Sequence, residues 1–204
     1  IILKMNFFTF QKYGIDFEQA KKNKIYFTFN NIKKKLLKMN YVEKNNTLTK
    51  KGTFSARVYA DEIILGEIFA TDFFKYLDEY QMLMILACLS YEAKERTQFY
   101  QLYPSERITD LKSKIGKSEY LHKEKRFLKL KQLTAMIDPI YNGKTIFDIM
   151  KNTNLQEGDV IRFLRQILDR IGQIRKATDN ERLVDMMDSI SKVVLKSMEE
   201  IEVI

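Results

Sequence analysis

Apolar positions along this chain fall mostly at three- and four-residue steps, the spacing that lines one face of a helix. The pattern is clearest from Asn142 to Ala177. After an Asn142-Gly143 turn, Ile146, Phe147, Ile149 and Met150 predict a short helix. Gln156-Glu157-Gly158-Asp159 then leads into a long helix over about 157–177, with Val160, Ile161, Leu164, Ile167, Leu168, Ile171 and Ile174 as its inward stripe. The acids at its start sit at the positive end of the helix dipole. A second face carries Arg162, Gln166, Asp169 and Gln173 at the same steps, so these side chains line up along one edge. Such an edge can hydrogen-bond bases, sugars and phosphates, and it equally suits an outer face that meets only water.

Helical spacing extends from Phe54 almost to the end. Asp61 starts a helix holding Ile63, Ile64, Leu65, Ile68 and Phe69, and Asp78 opens another holding Met82, Leu83, Ile85, Leu86 and Leu89. Thr97–Pro104 reads as a linker, and Ser105 as the cap of a helix containing Ile108 and Leu111. A long helix is expected from about Ser118 to Ile137, ended by Pro139. Asp179-Asn180 breaks the chain before a last amphipathic helix with Leu183, Val184, Met187, Ile190, Val193, Val194 and Met198.

The front of the chain differs. Phe7, Phe8, Phe10, Phe17, Tyr26, Phe27 and Phe29 are too many aromatics for a disordered tail, but they show no period. Asn30 predicts the cap of a helix over 31–40, with Ile32, Leu36, Leu37 and Met39 inward. Tyr41-Val42, a polar turn at Asn45-Asn46 and Leu48-Thr49 follow. Basic helix, short strand, turn, short strand is the order in which a winged-helix unit often ends. The expected fold is therefore all-α: a multi-helix bundle over 61–204, preceded over 1–60 by a basic, aromatic-rich, winged-helix-like segment with a short β-hairpin.

Charge sharpens this division. The 204 residues carry a net +8, yet residues 1–60 hold 13 Lys and Arg against 3 Asp and Glu, leaving 22 against 24 for the rest. A basic front attracts a phosphate backbone, which makes Lys33, Lys34, Lys35 and Lys38 candidate nucleic-acid backbone contacts. A Lys- and Asn-rich compositional bias would look the same. Gly (7) and Pro (2) are scarce, in keeping with long helices. The first residue is Ile1, which predicts a piece of a larger protein. No stretch approaches the ~18 uninterrupted apolar residues of a membrane span. The opening apolar run is broken by Lys4 and Asn6, and Cys88 is alone, so a cytoplasmic location is expected, with Cys88 a small core residue.

Catalytic chemistry is not legible. Gly116-Lys117-Ser118 resembles the tail of a phosphate-binding loop, but the position needing the first glycine is Leu111. His122 is the single histidine and is expected on the surface. The carboxylate pairs Asp61-Glu62 and Glu199-Glu200 read as solvated. No catalytic residue, metal site or cofactor is expected in this chain.

Two stretches carry a resemblance. One is LTKKGTFSARVYADEIILGEIF (Leu48–Phe69), continuing through Phe73–Glu95; the other is GKTIFDIMKNTNLQEGDVIRFLRQILD (Gly143–Asp169). Together they resemble the C-terminal helical (DSHCT) domain of superkiller-type, exosome-associated DExH-box RNA helicases, over about residues 30–204. The resemblance implies a non-catalytic accessory domain packed on two RecA-like motor domains of the same polypeptide, where ATP and Mg are bound. It implies single-stranded RNA as a ligand and an RNA-degrading complex as a partner. The long helix over 157–177 corresponds to the family's ratchet helix along the RNA channel. RNA-contacting roles are thereby implied for Arg162, Arg165, Gln166, Asp169 and Gln173. Gln166 stands where the family usually has Arg, and Asp169 where it usually has Glu.

Apart from the resemblance, the residues leave two other readings open. One is a stand-alone winged-helix regulator reading duplex DNA with Asn31–Lys38. The other is a protein-interaction bundle whose polar edge over 157–177 is merely wet.

Overall fold

A computed structural model describes residues 24–199, with side chains from Phe27 onward. Phe7, Phe8, Phe10 and Phe17, the Tyr26 side chain and Glu200 lie outside the described residues. The helices are α1 (Lys24–Lys38), α2 (Lys50–Ala56), α3 (Glu62–Phe69), α4 (Glu79–Ser90), α5 (Glu106–Lys117), α6 (Leu130–Tyr141), α7 (Ile146–Met150), α8 (Glu157–Ala177) and α9 (Glu181–Lys196). Short 3-10 turns cover Asp72–Tyr76, Leu121–Lys123 and Lys125–Lys129.

The expected all-helical bundle is present; among the described residues the winged-helix segment with a β-hairpin is not. Among the described residues, Val42 and Leu48 make a single antiparallel bridge around the turn at Asn45-Asn46. Thr49 then caps α2 at once, its Oγ1 accepting from the Gly52 N–H at 3.0 Å. That cap commits Lys50 onward to helix and leaves no length for a second strand. The expected Asn30 cap is also wrong, because α1 runs unbroken through Asn30 and Asn31. Its end is sealed instead by Asn40 at φ 59°, with the Tyr41 N–H donating to Leu36 O (2.9 Å) and the Asn40 N–H to Leu37 O (3.1 Å).

The long helix expected over 118–137 is two 3-10 turns followed by α6. Glu124 is extended (φ −78°, ψ 109°), and its carboxylate accepts from the Arg126 N–H and Nε, both at 3.0 Å. Pro139 does not end α6 but lies inside it. Proline cannot donate to the carbonyl four residues back, which is Ala135 O. Asn152 Nδ2 reaches in from beyond α7 and donates to that carbonyl at 2.9 Å, so the missing bond is replaced. The Thr97–Pro104 linker is strapped down: Tyr100 N–H donates to Asn152 O (2.8 Å), and Tyr103 N–H to Thr134 Oγ1 (3.0 Å).

At the centre stands α4, buried from Tyr80 to Ser90. A helix apolar all round belongs in the middle of a bundle. Its start is fixed by a reciprocal cap between Asp78 and Gln81, and α5, α6, α8 and α9 pack around it. Cys88 is buried here, and burial pushes its thiol well above the usual value. In α8 the buried side chains Val160, Phe163, Leu164, Ile167, Ile171 and Ile174 contribute roughly 9–18 kcal/mol of gross hydrophobic stabilisation. That is enough to hold its inner face fixed while the outer face stays available.

The front of the chain joins the bundle through Tyr41, Lys51, Gly52 and Glu67. The Tyr41 hydroxyl donates to Ile63 O (2.8 Å) and lies 3.0 Å from Glu67 Oε1. Lys51 pairs with the same carboxylate, and its Nζ stands 4.4 Å from the Tyr41 ring centroid. Gly52 is required because a Cβ there would lie 2.0 Å from Tyr41 O.

Candidate nucleic-acid interface

A groove of roughly 900 Å³ runs along the outer face of α8. One wall is α8 from Gly158 to Gln173; the other is Leu89–Glu92, where α4 ends, with Ala60 and Arg126 at the side. At a 1.5 Å rise per residue the α8 wall is about 22 Å long. Arg162, Arg165, Gln166, Asp169 and Gln173 all line it, so the structure brings the five sequence-predicted residues together. A side hollow of about 30 Å³, one water in size, extends between Tyr91, Asp159 and Phe163. Lys94 reaches across its edge to Asp159 and holds that carboxyl below its usual value.

The four arginines of the groove differ in state. Arg126 and Arg170 converge on the Asp61 carboxylate, Arg126 Nη2 at 2.7 Å from Oδ1 and Arg170 Nη2 at 2.8 Å from Oδ2. Both also donate to Leu89 O, at 3.3 and 2.8 Å, and Arg170 Nε donates to Ser90 Oγ at 3.1 Å. Glu124 completes the cluster on Arg126. Burial pushes the Asp61 carboxyl up, but the hydrogen bond from Arg126 and the nearby Arg170 and Arg126 charges outweigh it and hold the group below the usual aspartate value. Asp61 is therefore not the solvated acid expected from the sequence. It heads α3 in a left-handed conformation (φ 58°) without capping it, because its oxygens are taken by the two arginines.

Arg162 and Arg165 are exposed, and no hydrogen bond or ion pair occupies either among the described residues. Gln166 is half-buried between them and the α4 wall. Asp169 and Gln173 are engaged: Gln173 Nε2 donates to the Asp169 carboxylate at 2.6 Å, and Gln173 Oε1 accepts from the Tyr59 N–H at 3.0 Å. The open donors of the wall are thus concentrated at positions 162, 165 and 166.

Lys33, Lys34, Lys35 and Lys38 lie on α1 and do not line the groove; Lys34, Lys35 and Lys38 are exposed and Lys33 half-buried. His122 is exposed, with Nδ1 2.6 Å from Ser118 O. Sequence reasoning missed Phe163, Arg170, Arg126 and the role of Asp61. For Arg170 a signal existed: the steps Phe163, Ile167, Arg170, Ile174 place it beside the buried stripe, where a charge requires a partner. For Arg126 and Asp61, far apart in sequence, none did. Among the described residues no helix is long and apolar enough to cross a membrane.

Residues 45–198 match the DSHCT (NUC185) domain. A Caenorhabditis elegans protein named mRNA transport homolog 4 is 27% identical over 179 residues, an alignment covering 80% of this chain and 17% of that relative. The chain thus spans about a sixth of the length of the relative it matches.

Proposed function

The chain belongs to the DSHCT (NUC185) domain family, and from that footing we propose that it is the helical accessory domain of an ATP-driven, superkiller-type RNA helicase. In this reading α8 guides single-stranded RNA past RecA-like motor domains of the parent polypeptide. ATP and Mg act in those motor domains, while this chain performs no hydrolysis itself. The assembly works in the cytoplasm and hands RNA to a degrading complex. The relative's name, which speaks of mRNA transport, is in keeping with RNA as the ligand.

The observation that carries the reading is the pair of exposed arginines, Arg162 and Arg165, beside Gln166 on the groove wall, without an ion pair among the described residues, whereas the other two arginines of the groove, Arg126 and Arg170, are held by Asp61. Guanidinium groups without carboxylate partners bind phosphate through charge and paired N–H donors. Gln166 offers both a donor and an acceptor to a base or sugar, without charge. Each neutral hydrogen bond is worth about 1 kcal/mol and each charged one about 1.5–3 kcal/mol. Contacts of that size hold a strand between motor cycles and still release it. The buried inner stripe keeps their register rigid. Lys33, Lys34, Lys35 and Lys38 add sequence-independent phosphate attraction from the basic front.

The test is RNA binding by Arg162→Ala with Arg165→Ala. Two lost phosphate contacts lower the slope of log affinity against log salt by about 1.4 on single strands, with the melting temperature unchanged because both side chains are exposed. In the parent helicase the same pair lowers unwinding. Full binding and full unwinding by the double variant defeat the proposal.

A further inference from the structure

Tyr59 is 87% exposed, more than any other large apolar side chain among the described residues. Its backbone has no matching freedom. Val58, just before it, is 4% exposed in the main core. Ala60, just after it, lines the groove, and Asp61 is clamped by Arg126 and Arg170. The Tyr59 N–H itself is tied to Gln173 Oε1 at 3.0 Å, and Gln173 is steadied in turn by Asp169. An open aromatic ring thus stands on a fixed stretch of chain at the Gln173 end of the groove.

That combination has no folding benefit: the ring buries little, and its position is set by the neighbours' bonds. It does suit recognition, because a tyrosine offers a flat amphipathic face and loses little rotamer freedom on contact. The groove walls supply cations and amides, which serve phosphates and base edges. Their aromatic residue, Tyr91, is already occupied, packed edge-on against Phe163 (6.1 Å, 85°) and tilted on Phe99 (6.0 Å). A strand held by Arg162 and Arg165 therefore lacks a surface for its base faces inside the groove and meets one at its end.

We propose that Tyr59 is a base-stacking platform where single-stranded RNA passes the Gln173 end of the groove. The proposal rests on the RNA reading of the groove given above. Gln173 and Asp169 are then positioning residues that set the height of the platform.

The experiment uses the full chain and a fluorescein-labelled oligouridylate, read by anisotropy across a salt series. Tyr59→Ala weakens binding about tenfold, the loss of one stacked base, with the salt slope unchanged because no cation is lost. Tyr59→Phe keeps wild-type affinity, since the ring and not the hydroxyl stacks. A 5-iodouridine oligonucleotide photocrosslinks to Tyr59. If Tyr59→Ala binds as wild type and no crosslink maps to it, while the Arg162→Ala, Arg165→Ala pair loses binding, the platform is refuted and the groove reading stands. If the wild-type chain retains no oligouridylate even at low salt, both fall together.

Discussion

Arg170 Nη2 lies 2.8 Å from Asp61 Oδ2, a contact that ties the middle of the long helix α8 to the first residue before α3. The opposite oxygen of the same carboxylate is held by Arg126. One acid therefore joins three separate segments beneath the groove. It also fixes the chain next to Ala60, which lines the groove, and Tyr59, which stands at its end.

Replacing Asp61 by Asn removes the charge that both arginines share. The side chains of Asp61, Arg126 and Arg170 are 19%, 32% and 14% exposed, so solvent screens the loss only in part. We expect a cost of about 2–3 kcal/mol, read as a lowered urea midpoint. Stability should also change its acid dependence. The folded Asp61 carboxyl is held below the usual 3.8, so its contribution is complete above that value and is lost as pH falls through the lower folded value. Midpoints measured from pH 6 down to pH 2 (roughly that window) should fall less steeply for Asp61→Asn than for the wild type. Identical acid limbs would show that Asp61 contributes nothing there.

Gly52 and Gly172 are both helical, but their substitution should act in opposite directions. A Cβ at Gly52 meets Tyr41 O at 2.0 Å, a backbone atom that cannot step aside. Gly52→Ala should cost about 3 kcal/mol, a drop of roughly 6–12 °C in Tm. A Cβ at Gly172 meets nothing within 4 Å, so Gly172→Ala should stabilise by about 0.8 kcal/mol, the difference in helix propensity. Thermal melts of the two variants separate packing from propensity.

Lys51→Met keeps the length of the side chain and deletes its charge. Glu67, 9% exposed, then keeps only the Tyr41 hydroxyl as a partner. A loss of about 2–4 kcal/mol is expected, and Lys51→Met with Glu67→Gln should recover part of it, because no unpaired carboxylate remains. A double-mutant cycle in urea measures the coupling; zero coupling contradicts the role given to this pair.

Gln166→Arg places a cation one turn beyond Arg162 on the groove wall. If the groove holds RNA, affinity for a labelled single strand should rise and the salt slope should steepen by about 0.7. An unchanged slope would place position 166 away from the phosphates.

Local pattern determined much of this protein. The inward stripe of α8, the Asp78–Gln81 cap of α4 and the break at Asp179-Asn180 are encoded within single turns of helix, where side chains three or four apart must share a face. The polar edge Arg162, Gln166, Asp169 and Gln173 was legible for the same reason, while Arg165 entered only through the family resemblance. What failed were readings that gave a residue only its sequence neighbours as partners. Pro139 does not stop α6, because Asn152 replaces the bond that proline lacks. Asp61 is not a solvated acid, because Arg126 and Arg170 reach it from 65 and 109 positions away. The bridge at Val42 and Leu48 never becomes a wing, because Thr49 begins a helix. Periodicity thus set which faces turn inward, while tertiary packing decided which charges are spent on one another and which stay open to a ligand. Pairing between distant segments depends on three-dimensional proximity, and that leaves no period in the chain.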